Sequence, residues 1–253
     1  MDLKLKGRKA IITGGSKGIG RAIADMLAEE GCYVAICARN AGEVEAAVAA
    51  LKGKGVKATG EAFDVRDGTA LAGWVKRAGE ALGGIDIAVA NVSALDMDRS
   101  ESAWQNEFEI DMLHSVRTVE AALPFIEKSD AGAILMIASV SGLEFDFTSP
   151  AYGTFKAALI HYASRLASTL APKHIRVNTV SPGNTYFEGG IWQKIEKNMP
   201  DLFKTALAKN PWGRMATDLE VANAAVFLAS PRASFITGVN LVVDGALTNR
   251  VQY

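Results

Sequence analysis

The chain has 253 residues, of which 49% are hydrophobic and 22% are charged, a composition typical of a globular protein with a large core. Its 27 basic and 28 acidic side chains leave a formal net charge of −1, which favours neither nucleic acid nor an anionic membrane surface as a partner. No apolar run approaches the roughly 18 residues of a spanning helix, and residues 1–6 lack the apolar part of a signal peptide. Cys32 and Cys37 indicate reduced packing residues, and the sequence holds no cluster of metal ligands. We therefore expect a cytoplasmic protein without a metal or a membrane span.

Short apolar runs alternate with helical patterns along the chain. The runs predict seven strands, at residues 9–13, 33–38, 59–63, 85–90, 133–139, 175–180 and 240–243. Helices are predicted between them, the longest at about 102–127 and 150–171, and residues 184–214 form an irregular stretch. A capping box from Thr217 to Glu220 opens the last helix. Strands that are continuous apolar runs are typical of a parallel sheet buried on both faces. The sequence therefore predicts a single α/β domain over residues 1–253, a Rossmann-type, doubly wound, seven-stranded parallel sheet with helices on both faces.

A glycine-rich turn follows the first predicted strand, and we call residues 14–20 the glycine turn. Here a strand leads through Gly14, Gly18 and Gly20 into a helix. Glycines let the backbone turn tightly and approach a pyrophosphate, and the helix offers free N–H groups and the positive end of its dipole. The spacing is G-x-x-x-G-x-G rather than the commoner G-x-G-x-x-G. A plain tight turn would also use glycine, but the strand before and the helix after favour a dinucleotide site.

Ser139, Tyr152 and Lys156 form the candidate catalytic group. Ser139 ends an apolar strand, where open parallel sheets bind their ligands. Tyr152 and Lys156 are four residues apart near the start of a helix, so they share one face. A phenol titrates near pH 10, and its pKa must fall by about 3 units, or roughly 4 kcal/mol, to work near neutrality, which a nearby ammonium favours. The alternatives are an exposed helical pair and a serine that only satisfies backbone groups.

The ordered set of motifs resembles the short-chain dehydrogenase/reductase family over essentially the whole chain. The strongest likeness is the thirteen-residue step from Ser139 to Tyr152, followed by Lys156. The resemblance implies that the serine positions a carbonyl, that the tyrosine is the general acid/base, and that the lysine lowers the pKa of the tyrosine and binds the nicotinamide ribose. It also implies cofactor contacts from the glycine turn, the adenine side and the nicotinamide side, at Gly14, Ser16, Lys17, Gly18, Ile19, Gly20, Asp64, Val65, Asn91, Pro182, Gly183 and Thr185.

Two positions depart from the family pattern. Residues 90–93 are Ala-Asn-Val-Ser where the family usually has Asn-Asn-Ala-Gly, so only Asn91 is kept. Asp111 stands where the family usually has an asparagine that holds a water in a proton relay to the lysine. A carboxylate there raises the pKa of Lys156 and weakens its effect on Tyr152. The alternative is a tolerated isostere, and we expect that Asp111→Asn preserves turnover.

The end of the second predicted strand bears on the choice of nucleotide. Enzymes that use NAD place an acidic residue there, and this chain has Cys37-Ala38-Arg39-Asn40 instead. Lys17 and Arg39 flank the expected adenosine ribose, where NADP carries its extra phosphate. The alternative is that both are solvated surface charges. The sequence predicts NADP(H) in preference to NAD(H).

The substrate side is predicted around residues 184–214, where the resemblance implies a lid. Candidate substrate contacts are Ser93, Phe145, Phe147, Tyr186, Phe187 and Trp192. Phe203 and Trp212 are expected to pack the lid onto the core instead. Glu144 and Asp146 either face solvent or recognise hydroxyl groups or a cation. Gly189 with Gly190 is a candidate hinge.

Together these features predict an NADPH-dependent reductase of a 3-oxoacyl compound or another small ketone, which transfers hydride while Tyr152 gives the proton. The alternatives are an alcohol, sugar or steroid dehydrogenase working oxidatively and a non-catalytic NADP-binding sensor or scaffold. Surplus apolar surface on the helices at 102–127 and 150–171 favours a homo-oligomer, a tetramer or dimer, over complete burial within one chain. The expected partner is a small-molecule carbonyl or alcohol.

Overall fold

A computed structural model describes residues 2–249 and Val251. One parallel sheet of seven strands runs through it. The strands are β1 (Lys9–Thr13), β2 (Tyr33–Ala38), β3 (Ala58–Ala62), β4 (Ile87–Ala90), β5 (Ala133–Ile137), β6 (Arg176–Pro182) and β9 (Asn240–Val243). Their order in the sheet is β3-β2-β1-β4-β5-β6-β9. The order reverses beside β1, and such a switch point opens a crevice at the carboxyl ends of the strands.

Helices cover both faces of the sheet, which confirms the predicted doubly wound fold. On one face the apolar sides of three helices pack on the strands, α1 (Gly18–Glu29), α2 (Ala41–Gly53) and α9 (Asp218–Ala229). The other face carries α3 (Gly68–Leu82), α4 (Glu101–Glu107), α5 (His114–Ile126) and α6 (Pro150–Leu170). Central strands such as β5 are buried at every position because both faces are covered. The predicted capping box opens α9, with Thr217 and Glu220 bonded reciprocally.

The predicted helix at 102–127 is present from Glu101 to Ile126 but is not regular. Between α4 and α5 the chain is π-helical over Phe108–Leu113. Segments of this kind are rare and often mark functional sites because they redirect side chains within a helix. Asp111 lies in this segment.

The 184–214 segment is more ordered than the sequence analysis predicts. It contains two short helices, α7 (Ile191–Asn198) and α8 (Pro200–Ala208). A two-stranded parallel pair, β7 (Thr185–Tyr186) and β8 (Ala216–Thr217), joins its two ends. The segment also has a small apolar cluster, built on Trp192, Ile195 and Ala206, which Met215 just beyond the segment completes. None of the described helices is both long and apolar enough to cross a membrane.

Candidate active site

The glycine turn has the backbone shape that only glycine adopts easily. Gly14 and Gly18 have φ angles of +67° and +56°. A Cβ at Gly20 would lie 2.3 Å from the carbonyl oxygen of Gly14, so α1 packs directly on the turn. No side chain caps the N-terminus of α1, and its first turn has no acidic residue. The N–H groups at this helix end are therefore available to an anionic ligand.

Asn91 ties the loop after β4 to the glycine turn. Its side-chain amide donates to the carbonyl oxygens of Thr13 (3.1 Å) and Gly14 (3.2 Å), and its backbone N–H donates to Thr13 Oγ1 (3.0 Å). Val92, one of the departing positions, packs beside Gly14, where an added Cβ would lie 3.1 Å from its methyl group. The departure from the family pattern thus leaves the loop anchored to the turn.

Two cavities open along the carboxyl edge of the sheet. The first, of about 470 Å³, lies beyond β5 and β6 and is lined by Ser139, Tyr152, Lys156 and Gly183 among others. The second, of about 510 Å³, lies beyond β2 and β3. The two cavities meet at Lys17, Asn91, Ser93 and Ala94. A ligand with two nucleotide halves can therefore span both.

Ser139, Tyr152 and Lys156 come together in the first cavity. Ser149 caps α6 by accepting from the Tyr152 N–H at 3.3 Å, which starts the helix at the point that carries the tyrosine and lysine. Lys156 Nζ lies 5.5 Å from the centre of the Tyr152 ring and donates to the Ile137 carbonyl oxygen at 2.9 Å. Each of the three residues is less than 10% exposed. Their grouping is that of a buried proton-transfer site.

The expected fall in the pKa of Tyr152 is not found. Burial raises the pKa of this phenol above its ordinary value, and Lys156 only partly offsets the effect. Asp111 and Glu107 add to the rise because their charge opposes the lysine's. The expectation of a net fall in the pKa of Tyr152 is wrong for the protein without a bound cofactor, because it took no account of desolvation.

Asp111 makes a direct ion pair with Lys156. Its Oδ1 lies 3.0 Å from Lys156 Nζ, and both side chains are at most 2% exposed. Oδ2 accepts from the Ala94 N–H at 2.9 Å. Burial acts to lower the pKa of Lys156, but the Asp111 carboxylate raises it above its ordinary range. Burial acts to raise the pKa of Asp111, but Lys156 and its hydrogen bonds hold it below. The departure at Asp111 therefore creates a buried charge pair.

The second cavity, which is the expected adenosine end of the cleft, contains an acidic residue that the sequence analysis missed. Glu43 accepts from Ser16 Oγ at 3.2 Å and lies 3.5 Å from Lys17 Nζ. It sits in the first turn of α2, three residues after the cap Asn40, whose side chain accepts from the Glu43 N–H. That spacing is the signal that was available in the sequence. Arg39 is exposed at the edge of the same cavity.

The Asp64 carboxylate at this end is already engaged by Arg66. Arg66 Nη2 and Nε donate to it at 2.6 and 3.1 Å, and these hydrogen bonds lower the pKa of Asp64. Val65 is buried beside it, and both residues line the second cavity.

The predicted substrate residues divide into two groups. Ser93, Phe147, Phe187 and Trp192 line the first cavity. The Phe187 ring lies against the glycine turn, where a Cβ added to Gly18 would be 2.6 Å from it.

Three aromatic residues depart from the predictions. Phe145 is fully exposed, whereas the side chains of its neighbours Glu144 and Asp146 accept hydrogen bonds from the protein. Tyr186 packs on Phe203 and hydrogen-bonds Glu196 instead of lining the cavity. Phe203 packs within the 184–214 segment as expected, but Trp212 is 69% exposed and stacks with Arg214.

A hydrogen-bonded chain leads away from the catalytic serine. Ser139 Oγ donates to Ser141 Oγ at 3.1 Å, and Ser141 Oγ donates to the Asp146 carboxylate. The Thr148 N–H also donates to Asp146, at 2.9 Å. Of the alternatives for Asp146, the structure favours a carboxylate that faces the cavity. Across residues 2–249, no group of three or more His, Cys, Asp or Glu is arranged to hold a metal ion.

Comparison with known proteins identifies the family. A family model described as enoyl-(acyl carrier protein) reductase matches residues 14–248. Isoepoxydon dehydrogenase patN of Penicillium expansum is 39% identical over 255 residues, which cover 98% of each chain. The chain belongs to the short-chain dehydrogenase/reductase family. Among solved structures, L-sorbose reductase of Gluconobacter frateurii complexed with NADPH and L-sorbose is 31% identical, with a TM-score of 0.91, and covers 99% of this chain and 100% of its own. A 7α-hydroxysteroid dehydrogenase complexed with NADH is 29% identical, with a TM-score of 0.89 and coverage of 97% and 96%.

As a short-chain dehydrogenase/reductase, the chain is an oxidoreductase with a nicotinamide cofactor. The cleft fits such a group, because the uncapped end of α1 suits a pyrophosphate and the two joined cavities accept two nucleotide halves. Pro182 and Gly183 at the end of β6, and Thr185 in β7, line the end of the cleft near Tyr152. Thr185 Oγ1 donates to the Gly183 carbonyl oxygen at 3.1 Å, which steadies this edge.

Proposed function

We propose that this chain reduces the carbonyl group of a small ketone, a 3-oxoacyl compound or another small carbonyl, to a secondary alcohol with NADPH. The observation that carries the proposal is the buried Tyr152 phenol, which shares one cavity with the Lys156 ammonium and the Ser139 hydroxyl. Reduced nicotinamide, when bound, supplies the hydride that the carbonyl carbon receives. The protein's own part is to hold the substrate oxygen and to deliver a proton to it.

In this proposal the Ser139 hydroxyl turns from Ser141 to donate its one hydrogen bond to the substrate oxygen, and Tyr152 gives that oxygen its phenolic proton. Because the pKa of Tyr152 is raised by burial, the phenol is protonated at neutral pH, which suits a proton donor. Lys156, 5.5 Å from the ring centre, stabilises the phenolate that remains. The 39% identity to a protein named a dehydrogenase favours a second candidate, oxidation of an alcohol by the same groups in reverse.

We also propose a preference for NADP(H). Arg39 lines the adenosine end and pairs with no carboxylate among residues 2–249, so its guanidinium is available to a phosphate. Lys17 is paired with Glu43, but an exposed ion pair contributes only about 0–1 kcal/mol, which a phosphate can outcompete. The NADPH in the L-sorbose reductase structure supports this preference, whereas the NADH in the hydroxysteroid dehydrogenase does not. The ratio of kcat/KM with NADPH and NADH tests it.

The 184–214 segment is proposed as the lid over the substrate. It places Phe187 and Trp192 along the first cavity, and Trp192 packs edge-on against Phe147 at 5.2 Å. Gly189 has a φ angle of +73°, and a Cβ added to it would meet no atom within 4 Å, so the chain is free to bend there. We assign the remaining cofactor contacts to Gly14, Ser16, Gly18, Ile19, Gly20, Asp64, Val65, Asn91, Pro182, Gly183 and Thr185.

A homo-oligomer, a tetramer or dimer, is proposed on the apolar surface that α4 and α6 leave uncovered. Trp104 and Phe108 are 38% and 40% exposed, and both rings pack against Phe155. The two buried, unpaired cysteines support a reducing compartment, which we propose to be the cytoplasm. Light scattering after gel filtration tests the assembly, and cell fractionation tests the location.

The central test follows NADPH absorbance with a panel of ketones, and NADP⁺ reduction with the matching alcohols. Tyr152→Phe is expected to lower the rate by about 10²–10⁴-fold in both directions while NADPH still binds. Tyr162→Phe is the matched control, since it removes a hydroxyl on the same helix that has no hydrogen-bond partner among the described residues. An unchanged rate in Tyr152→Phe would refute the mechanism. Activity with NADP⁺ and alcohols alone would favour the oxidative candidate.

A further inference from the structure

Glu107 belongs to a buried cluster of charge that the reaction above does not use. It ends α4, one turn before Asp111, and none of its surface is exposed. Its Oε1 accepts from the Asp96 N–H at 2.6 Å. Its Oε2 and Asp111 Oδ1 are both buried and receive no hydrogen bond from any described residue. Lys156 Nζ lies 3.0 Å from Asp111 Oδ1 and supplies its counter-charge.

A buried carboxyl oxygen without a hydrogen bond, Glu107 Oε2, beside a second carboxyl group points to a missing proton. The Glu107 and Asp111 carboxyl groups lie within hydrogen-bonding reach of each other. Two carboxylates cannot hydrogen-bond, whereas a carboxylic acid donates to a carboxylate. A proton on Glu107 therefore gives the pair a hydrogen bond. Two negative charges beside a single ammonium would also leave one buried charge without a counter-charge.

The surroundings of Glu107 decide which carboxyl keeps the proton. Burial raises the pKa of Glu107 to about 9, with a further rise from Asp111 and an opposing effect of Lys156. Lys156 acts more directly on Asp111 and keeps that carboxyl ionised. The other groups that face the cluster are the Tyr152 phenol on α6, the loop at Asp96, and the buried His114 imidazole on α5, which is neutral because its pKa is lowered to about 4. The Asp96 carboxylate itself is turned away, toward the side chain of Asn106.

We propose that Glu107 is a positioning residue: it keeps its proton and donates it to Asp111, so that Lys156 faces one negative charge and not two. The charge around Tyr152 is thereby fixed at neutral pH. Above about pH 9 Glu107 loses its proton, and the added negative charge raises the pKa of Tyr152 further. The activity part of the test depends on the proposed function, while the proton itself can be observed without turnover.

The direct experiment is carboxyl carbon NMR on the full-length protein, with ¹³C-labelled glutamate in one sample and ¹³C-aspartate in another. We expect one glutamate with the shift of a protonated acid at pH 7, titrating near pH 9 and absent from Glu107→Gln. At that pKa only about 1% of Glu107 is ionised at pH 7. A spectrum in which every glutamate titrates near its ordinary pKa of about 4.3 would overturn the proposal. A protonated aspartate at pH 7 would overturn it as well. The wild-type spectra decide the matter even if the variant does not fold.

The second experiment measures the pH profile of alcohol oxidation. Glu107→Gln keeps a donor to Asp111 but cannot ionise, so its kcat at pH 7 should stay within about twofold of the wild type. Its profile should rise at a lower pH than the wild-type profile, because the second negative charge never forms. Glu101→Gln is the control, as it removes an exposed carboxylate from the start of the same helix. If the NMR result is as expected but Glu107→Gln and the wild type have identical pH profiles, Glu107 has only a structural role. That result would overturn the proposed effect of Glu107 on the pKa of Tyr152. A wild type without activity would count against the proposed function alone.

Discussion

Replacement of Asp111 by asparagine tests how the buried lysine is neutralised. The substitution removes the nearer counter-charge of Lys156, which lies 3.0 Å away and is fully buried. Removing one partner of a buried ion pair usually costs about 3–5 kcal/mol, because the other charge stays buried without compensation. In this protein a second carboxyl, Glu107, is within reach of the same position.

We expect Asp111→Asn to fall short of that full cost. Besides burial, the Asp111 carboxylate is the strongest cause of the raised pKa of Glu107, and the substitution removes its charge. Lys156 then favours the ionised form of Glu107. Glu107 then becomes the counter-ion. The remaining loss is one imperfect hydrogen bond, since the amide oxygen must serve both Lys156 and the Ala94 N–H, which is about 1–2 kcal/mol of unfolding free energy. Turnover should stay within about tenfold of the wild type.

The double variant Asp111→Asn/Glu107→Gln removes both carboxyls and should lose about 3–5 kcal/mol. Glu107→Gln alone should lose less than about 1 kcal/mol, since the amide still donates to Asp111. Urea unfolding of the four proteins at pH 7, with kcat for each, gives the coupling energy. A double variant that equals the sum of the single ones within about 0.5 kcal/mol would refute the exchange of counter-ions. So would a single Asp111→Asn that already loses the full amount.

Three further substitutions test other parts of the site. Arg39→Ala should lower kcat/KM for NADPH by about 10- to 100-fold and leave NADH unchanged, and equal losses with both would contradict the phosphate contact. His114 is fully buried and burial lowers its pKa to about 4, so the unfolded chain takes up its proton first as pH falls below about 6.5. The free energy of unfolding should therefore fall by about 3 kcal/mol between pH 6.5 and 4. Urea unfolding should show a smaller fall in His114→Gln, and an equal fall in the variant and the wild type would contradict the role of His114. Gly20→Ala forces a Cβ to 2.3 Å from the Gly14 carbonyl and should weaken NADPH binding and lower stability by about 1–3 kcal/mol. Gly53→Ala, in open space at the end of α2, should leave NADPH binding unchanged and raise stability by at most about 1 kcal/mol.

The strands were the easiest part of the fold to predict. A strand buried on both faces is apolar at nearly every position, so β1 and β2 match their predicted bounds, and the half-buried edge strand β9 matches as well. The edge strand β3 carries a weaker signal and is displaced by one residue. The helices α7 and α8 were missed because they are short and are held mainly by contacts within the 184–214 segment, which sequence periodicity does not record.

The candidate site was predictable in its chemistry but not in its electrostatics. The spacing of Ser139, Tyr152 and Lys156 brought the three residues to one cavity. The pKa of Tyr152 is a sum of opposing effects, in which burial outweighs the lysine, and such a sum depends on three-dimensional distances. The sequence analysis did not single out Glu107, and the only signal for it in the sequence is its four-residue spacing from Asp111.

The short pairing of β7 with β8 has an evolutionary consequence. It brings Thr185 beside Ala216, so the two ends of the intervening chain are only about 4.8 Å apart. An insertion between such clamped ends is inexpensive, since doubling the length of a loop adds only about 0.6 kcal/mol of closure entropy. The chain between β7 and β8 is thus an exchangeable module, which relatives can lengthen, shorten or replace without disturbing the residues that carry out hydride transfer. Replacing the residues between β7 and β8 with those of a relative that has a different substrate range is a direct route to altered specificity.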